Sequence, residues 1–175
     1  MSSTPLTNPY LSIEGYNCFG CSPQNPYGLR LHFHYDDEAD EVWAVVSPPS
    51  EHCGYPGVLH GGIQATMMDE VGYWAVHHRV GLPAFTVRMK VDLKRAVAIP
   101  SEIHVRARVD IIQKKRATVS VRLLIDGREH SSAAITYHIA DANTWLKVTG
   151  RLAPEACIRS ATTADAASGP PPSGL

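Results

Sequence analysis

Leu59-His60-Gly61-Gly62-Ile63-Gln64-Ala65-Thr66-Met67-Met68-Asp69-Glu70 is the stretch that decides how this chain folds. Its two adjacent glycines open an apolar run that continues to about Arg79. The apolar residues Ile63, Ala65, Met67, Met68, Val71, Trp74, Ala75 and Val76 cover far more than one narrow stripe of a helix. A helix apolar on so many sides is wrapped by the rest of its fold. Within its body stands Asp69, a residue type that core-facing helices seldom carry, because burying an unpaired carboxylate is costly. Paired glycines at a helix start let a ligand approach the backbone, whose free N–H groups there carry a partial positive charge. The combination predicts a carbonyl-binding helix end and an acid/base side chain on one element.

Outward from the helix the period changes to that of strands. Gly81, Leu82 and Pro83 stop the helix, and alternating segments follow at Ala84 to Leu93, Glu102 to Ile112, Ala117 to Ile125 and His130 to Ile139. Asp126-Gly127 between the last two is a strong hairpin turn. Upstream, Leu29 to Tyr35 alternates apolar and polar residues. Glu41 to Ser47 follows an acidic turn at Asp36-Asp37-Glu38, so the pair reads as a hairpin. Pro48, Pro49, Pro56 and Gly57 interrupt the pattern before the helix. Two strands, one long buried helix and four strands make an α+β plan, an antiparallel sheet wrapped around a central helix. Residues 1–28 read as an N-terminal lead packed on the domain, ending in the turn Asn25-Pro26-Tyr27-Gly28. Residues 29–141 form the domain itself. The signal fades from Thr144 to Leu152, and 142–175 reads as an extension, disordered from about residue 160, where Ala, Ser, Thr, Gly and Pro dominate.

Composition narrows the functions. With 175 residues, 44% of them hydrophobic, the chain can bury one ordinary core. A formal net charge of -1 and scattered basic residues give no field for a polyanion, so nucleic acid is not an expected partner. Met1 to Pro9 has neither the charged nor the apolar region of an export signal, and no apolar run reaches the roughly 20 residues of a membrane helix. No membrane association and a cytoplasmic location are therefore expected. Cys18, Cys21, Cys53 and Cys157 are too few for a disulfide scaffold and are read as reduced thiols. Cys18-Phe19-Gly20-Cys21 has the spacing of half a zinc ribbon. No second such pair exists, a metal would have to borrow His52, Cys53 or another chain, and no metal is expected.

His60-Gly61-Gly62 with Asp69 nine residues after the histidine, preceded by Pro56-Gly57-Val58-Leu59, resembles the signature of the hotdog-fold thioesterases, within them the PaaI-like acyl-CoA branch. Cys18-Phe19-Gly20-Cys21 with Asn25-Pro26-Tyr27-Gly28-Leu29 is similar to the lead that many members carry, and Ala84 to Val91 fits the strand after the helix. The likeness covers roughly residues 16 to 140. It implies a hotdog fold, hydrolysis of an acyl-CoA thioester to acid and CoA, no cofactor, and a homodimer that can pair into a tetramer. It also implies that Thr86 reaches the aspartate or its water from the other subunit, and that His60 fixes the loop and helix start while the following glycine amide does the chemistry. One departure is the loop His52-Cys53-Gly54-Tyr55, where members often carry Asn or Gln.

The residues themselves allow a mechanism to be laid out. Gly61 N–H can donate to a thioester oxygen as charge develops on it, with Gly62 keeping the approach open. Asp69 would activate water as a general base or attack directly. Gly61 and Asp69 lie eight residues apart on one helix, about 12 Å at 1.5 Å per residue, too far to serve one carbonyl carbon. A working site must therefore join two chains, with antiparallel helices across a two-fold axis. Lys114, Lys115 and Arg116 at a turn are the first candidates for the CoA phosphates, with Arg88, Lys90, Lys94 and Arg95 as alternatives. Glu70, about 100° round the helix from Asp69, is expected to be solvated or salt-bridged. Met67, Met68 and Trp74 are expected in the core, with Trp74 or Tyr73 as candidates to line an acyl tunnel. Two other readings are an acyl-CoA-binding sensor without turnover and a hydratase or dehydratase. The latter needs an Asp and a His poised together on the substrate, a pair absent from the helix start.

Overall fold

The computed structural model describes residues 3–155 and residue 157. The strands are β1 (Ser3–Pro5), β2 (His34–Asp36), β3 (Glu41–Val46), β4 (Cys53–Tyr55), β5 (Val58–Leu59), β6 (Ala84–Leu93), β7 (Ile103–Gln113), β8 (Arg116–Ile125) and β9 (Arg128–Ile139). The helices are α1 (Gly61–Val80) and α2 (Ala142–Thr149). Seven strands make one antiparallel sheet in the order β1-β2-β3-β7-β8-β9-β6, and β4 pairs with β5 apart from it.

The period of each segment explains its place. On β8, Ala117, Val119, Val121 and Leu123 are buried and alternate with Thr118, Ser120 and Arg122. On β9, Ala133, Ile135, Tyr137 and Ile139 do the same, so these strands turn one face to α1. The helix answers with Met67, Met68, Val71 and Val76, all fully buried, and Trp74 stacks on Phe33 with ring centroids 4.8 Å apart. Burying a side chain of this size contributes about 1.5–3 kcal/mol. Gly72 lets the helix meet β9 closely, since a Cβ there would lie 2.5 Å from the Tyr137 hydroxyl. His60 caps the start of α1, its Nδ1 accepting from Gly62 N–H at 2.9 Å. Gly81 ends the helix in the left-handed region at φ 68°, donating to His77 O at 2.7 Å. Asp126 and Gly127, both at positive φ, form the tight β8–β9 turn.

Two expectations need correction. Leu29 to Tyr35 does not run as one sheet strand: only His34–Asp36 joins the ladder to β3. Leu29, Leu31 and Phe33 are buried in alternation, but Leu29 N–H and Leu31 N–H donate to Phe19 O and Gly20 O of the lead. Alternation reports a buried face and is silent about which backbone answers it. The stretch after Asp141 is not featureless, for it forms α2, capped by Asp141 Oδ1 accepting from Thr144 N–H at 2.8 Å and closed by Gly150 at φ 69°. Both end signals stood in the sequence, around a helix only about two turns long whose apolar residues, Ala142, Trp145 and Leu146 among them, are too few to make a sustained period. Trp74 is in the core, as expected, and does not line the cavity beside Asp69. The disorder expected from about residue 160 falls outside the described residues. Among the described residues no helix is long and apolar enough to cross a membrane.

Candidate active site

Asp69 stands at mid-helix, half-buried, where the sheet faces α1. Thr86 on β6 donates its hydroxyl to Asp69 Oδ1 at 2.7 Å. The Tyr137 hydroxyl on β9 donates to Asp69 O at 2.8 Å and lies 3.2 Å from Oδ1. Burial raises the Asp69 pKa above the usual carboxylate value, and the two hydroxyls oppose that rise by stabilising the charged form. Thr86 reaches inward because the β6–β9 register shifts between Thr86 and Arg88, a bulge that re-aims the strand beside the carboxylate. The contact is within one chain, where the resemblance implied a reach from the other subunit.

Asp69 and Thr86 line a cavity of about 300 Å³, whose aromatic walls are Tyr10, Tyr16, Tyr73, Phe85 and Trp145. Trp145 stacks on Phe85 at 6.0 Å and on Tyr10 at 5.8 Å, so the lead and α2 close the space over the sheet. Tyr73, the other candidate for the tunnel, is on this wall. At the far end of the helix, Gly61 N–H occupies a first-turn position with no intrahelical acceptor. A Cβ on Gly61 would lie 2.7 Å from Leu93 Cδ1, the end of a flexible side chain, and one on Gly62 3.0 Å from the His60 ring. Gly61 and Asp69 share one unbroken helix, which keeps them about 12 Å apart.

The basic candidates separate into two groups. Lys115 Nζ pairs with Asp141 Oδ2 at 2.7 Å, Lys94 pairs with Glu129, and Arg95 donates to Glu129 O, so these three are tied into the chain. Lys114 and Arg116 remain exposed at the β7–β8 turn, and Arg88 and Lys90 stand exposed on β6, on the face turned away from α1.

Glu70 is not the solvated side chain expected of it. Its Oε1 lies 3.2 Å from Cys18 Sγ, and burial, then Cys18, pushes its pKa up to about 8. Cys18, Cys21 and Glu70 line the same cavity as Asp69. Two other residues escaped sequence reasoning. Tyr137 carries only the ordinary period of β9. Gln64, 3% exposed, donates to Leu59 O at 3.3 Å and accepts from Ser131, bracing the helix start. A glutamine among the apolar residues of the first helical turns was the signal available for the second.

The sequence profile of the Thioesterase superfamily matches residues 56–131, from the loop before His60 through Asp69 and Thr86 into β9. A candidate esterase of Pseudomonas aeruginosa is 30% identical over 109 residues, which is 61% of this chain and 81% of that protein. This chain belongs to the thioesterase superfamily. The zebra fish thioesterase superfamily member 2 structure is similar at 25% identity with a TM-score of 0.54, over 57% of this chain and 75% of that one. A candidate thioesterase of Ralstonia eutropha, described as phenylacetic acid degradation-related, shares the fold at 20% identity and a TM-score of 0.60, over 69% and 92% of the two chains. The sheet and long packed helix are thus the hotdog fold of that superfamily. Cys18, Cys21 and Tyr137 lie outside the residues that the profile matches.

Proposed function

We propose that this thioesterase hydrolyses an acyl-CoA thioester as a homodimer, with Asp69 of one chain and Gly61 N–H of the partner subunit acting on one carbonyl. The observation that carries the reading is a helix-borne carboxylate, raised by burial and held by Thr86 and Tyr137, on the wall of an aromatic cavity. A carboxylate with a raised pKa is a better proton acceptor than an exposed one, and the cavity offers an acyl group a dry seat.

The pairing has support in the sheet edge. β6 ends the sheet, runs for ten residues, and pairs on one side only, with Val87 and Leu93 exposed at 47% and 53%. A long, open edge is a template for a second strand. Antiparallel pairing of two β6 strands across a two-fold axis lays the α1 helices side by side in opposite directions, bringing each Gly61 toward the other chain's Asp69. Two equivalent sites result, and two such dimers can pair further.

In the step itself Asp69 takes a proton from water, the water oxygen bonds to the carbonyl carbon, and the carbonyl oxygen becomes an oxyanion that Gly61 N–H stabilises. The C–S bond then breaks, the electron pair leaves on the CoA sulfur, and the proton held by Asp69 passes to that thiolate. Direct attack by Asp69 would instead give an anhydride that water opens. In a single turnover in ¹⁸O-water, label in Asp69 identifies the second route, since only opening of the anhydride at its Asp69 carbonyl puts it there. Lys114 and Arg116, with Arg88 and Lys90, are the cations left to meet CoA phosphates.

The test is thiol release from short, long and aromatic acyl-CoAs by the wild type and Asp69→Ala, with the oligomeric state measured by light scattering. Turnover that falls at least 10²-fold in the variant, in a dimer or tetramer, supports the reading. A monomer that turns over, or a variant equal to wild type, refutes it.

A further inference from the structure

The Cys-x-x-Cys pair, short of ligands by its spacing alone, gains one from the fold. Cys18 Sγ, Cys21 Sγ and a Glu70 carboxylate oxygen all lie within 4.8 Å of one another. We propose that Cys18, Cys21 and Glu70 form a three-ligand site for a divalent ion of the zinc class, which clamps the N-terminal lead to α1 beside Asp69.

The geometry suits such an ion with little movement. Zinc bonds of about 2.3 Å to sulfur and 2.0–2.2 Å to oxygen place tetrahedral ligands about 3.5–3.8 Å apart. The observed Sγ–Oε1 distance of 3.2 Å for Cys18 and Glu70 is near that range. Two sulfurs and one carboxylate oxygen are a donor set that selects zinc over magnesium or calcium. The turn between the cysteines is also shaped around the carboxylate. A Cβ on Gly20 would fall 2.1 Å from Glu70 Cγ and 2.5 Å from its Oε1, so only glycine lets the loop close over this side chain.

Charge points the same way. Glu70 is surrounded by two thiols and follows Asp69, and among the described residues no cation pairs with it. Cys18 Sγ donates to Glu70 Oε1, and a dication that takes both as ligands displaces that proton to solvent. Around Cys21, the Tyr16 hydroxyl at 3.0 Å and Asn8 Nδ2 at 3.9 Å supply outer hydrogen-bond donors to a thiolate. All three ligands face the cavity, which leaves the fourth position to water. The clamp concerns the lead and α1 and is independent of the substrate hydrolysed.

The experiment uses the full chain, stripped with chelator and titrated with Co²⁺ and then Zn²⁺. One equivalent of Co²⁺ per chain is expected, with a thiolate-to-cobalt charge-transfer band that Zn²⁺ bleaches. Peptide-resolved alkylation should find Cys18 and Cys21 protected by Zn²⁺ and the exposed Cys53 unchanged. Glu70→Gln should weaken Zn²⁺ binding at least tenfold, and Cys18→Ser with Cys21→Ser should abolish the band. The wild-type readouts decide by themselves if the double variant fails to fold. Absence of a saturable band, or alkylation of Cys18 and Cys21 at the metal-free rate in the Zn²⁺-loaded chain, overturns the proposal.

Discussion

Replacing Thr86 by Val removes one hydroxyl and keeps the branched shape that a strand favours, so it isolates what that hydroxyl does for Asp69. The hydroxyl donates to Oδ1 at 2.7 Å and favours the ionised carboxylate, against the burial that raises the pKa. Hydrogen bonds to charged groups contribute about 1.5–3 kcal/mol, and Thr86 is exposed in the single chain, which argues for the low end. At about 1.4 kcal/mol per unit, Thr86→Val should raise the Asp69 pKa further by about one unit. A general base works only when ionised, so kcat/KM is present above this pKa and lost as pH falls through it. The acid limb of the profile should therefore move to higher pH by about one unit, leaving activity on the limb about tenfold lower and the alkaline plateau little changed. The assay is kcat/KM against pH with the best acyl-CoA of the panel, and Thr86→Ser should restore the wild-type limb. A limb that stays in place or moves to lower pH would show that Thr86 does not hold the base.

Gly61→Pro removes the N–H at a helix position that tolerates proline, and should lower kcat by about 10²–10³. Gly61→Ala keeps the N–H and meets only the flexible end of Leu93, so its kcat should stay well above that of the proline variant. Mixing Asp69→Asn chains with Gly61→Pro chains should return about a quarter of wild-type activity, because half the dimers are mixed and each of those has one site with both groups intact. A site contained in one chain would return nothing. Gly72→Ala should lower stability by about 1–3 kcal/mol in urea unfolding, since the new methyl displaces the Tyr137 hydroxyl at 2.5 Å, and an unchanged midpoint would refute the close packing. Asp69→Asn should be more stable than wild type at pH 7. The folded-state pKa is raised, so the cost of ionising Asp69 builds as pH rises from the unfolded value toward the folded one. The gap should close below about pH 4, and a gap independent of pH would mean that ionisation is not its source.

The parts of the fold legible in the sequence were those with a strong period. Gly61 to Arg79 and the four segments after Pro83 are continuous patterns bounded by Gly and Pro, and each element begins and ends within a few residues of where its pattern does. Segments whose backbone partner is remote were less legible. The alternation of Leu29, Leu31 and Phe33 is real burial, yet its hydrogen bonds go to Phe19 and Gly20, a pairing that no local pattern encodes. Residues 142–149 form a helix between two end signals, with too short an apolar pattern between them to stand out. At the site, Gly61 and Asp69 were visible because each breaks the rule of its surroundings, glycine in a helix and carboxylate in an apolar face. Tyr137 breaks no rule. Glu70 broke the same rule as Asp69, but the 100° rotation between neighbours says which way a side chain leaves the helix and not what waits there. What waits is a cysteine loop whose position depends on how the whole lead packs.

The unbroken α1, with its donor at one end and its carboxylate in the middle, has a consequence for inheritance. Under the proposed pairing each chain lends its glycine to one site and its aspartate to the other, so no chain owns a site. An allele damaged at both positions would silence both sites of every dimer it enters, wild-type partner included. When both alleles are expressed equally, only the quarter of dimers built from two intact chains would keep working. Such a lesion would be dominant, whereas damage at either position alone would leave each mixed dimer one intact site and behave far more recessively.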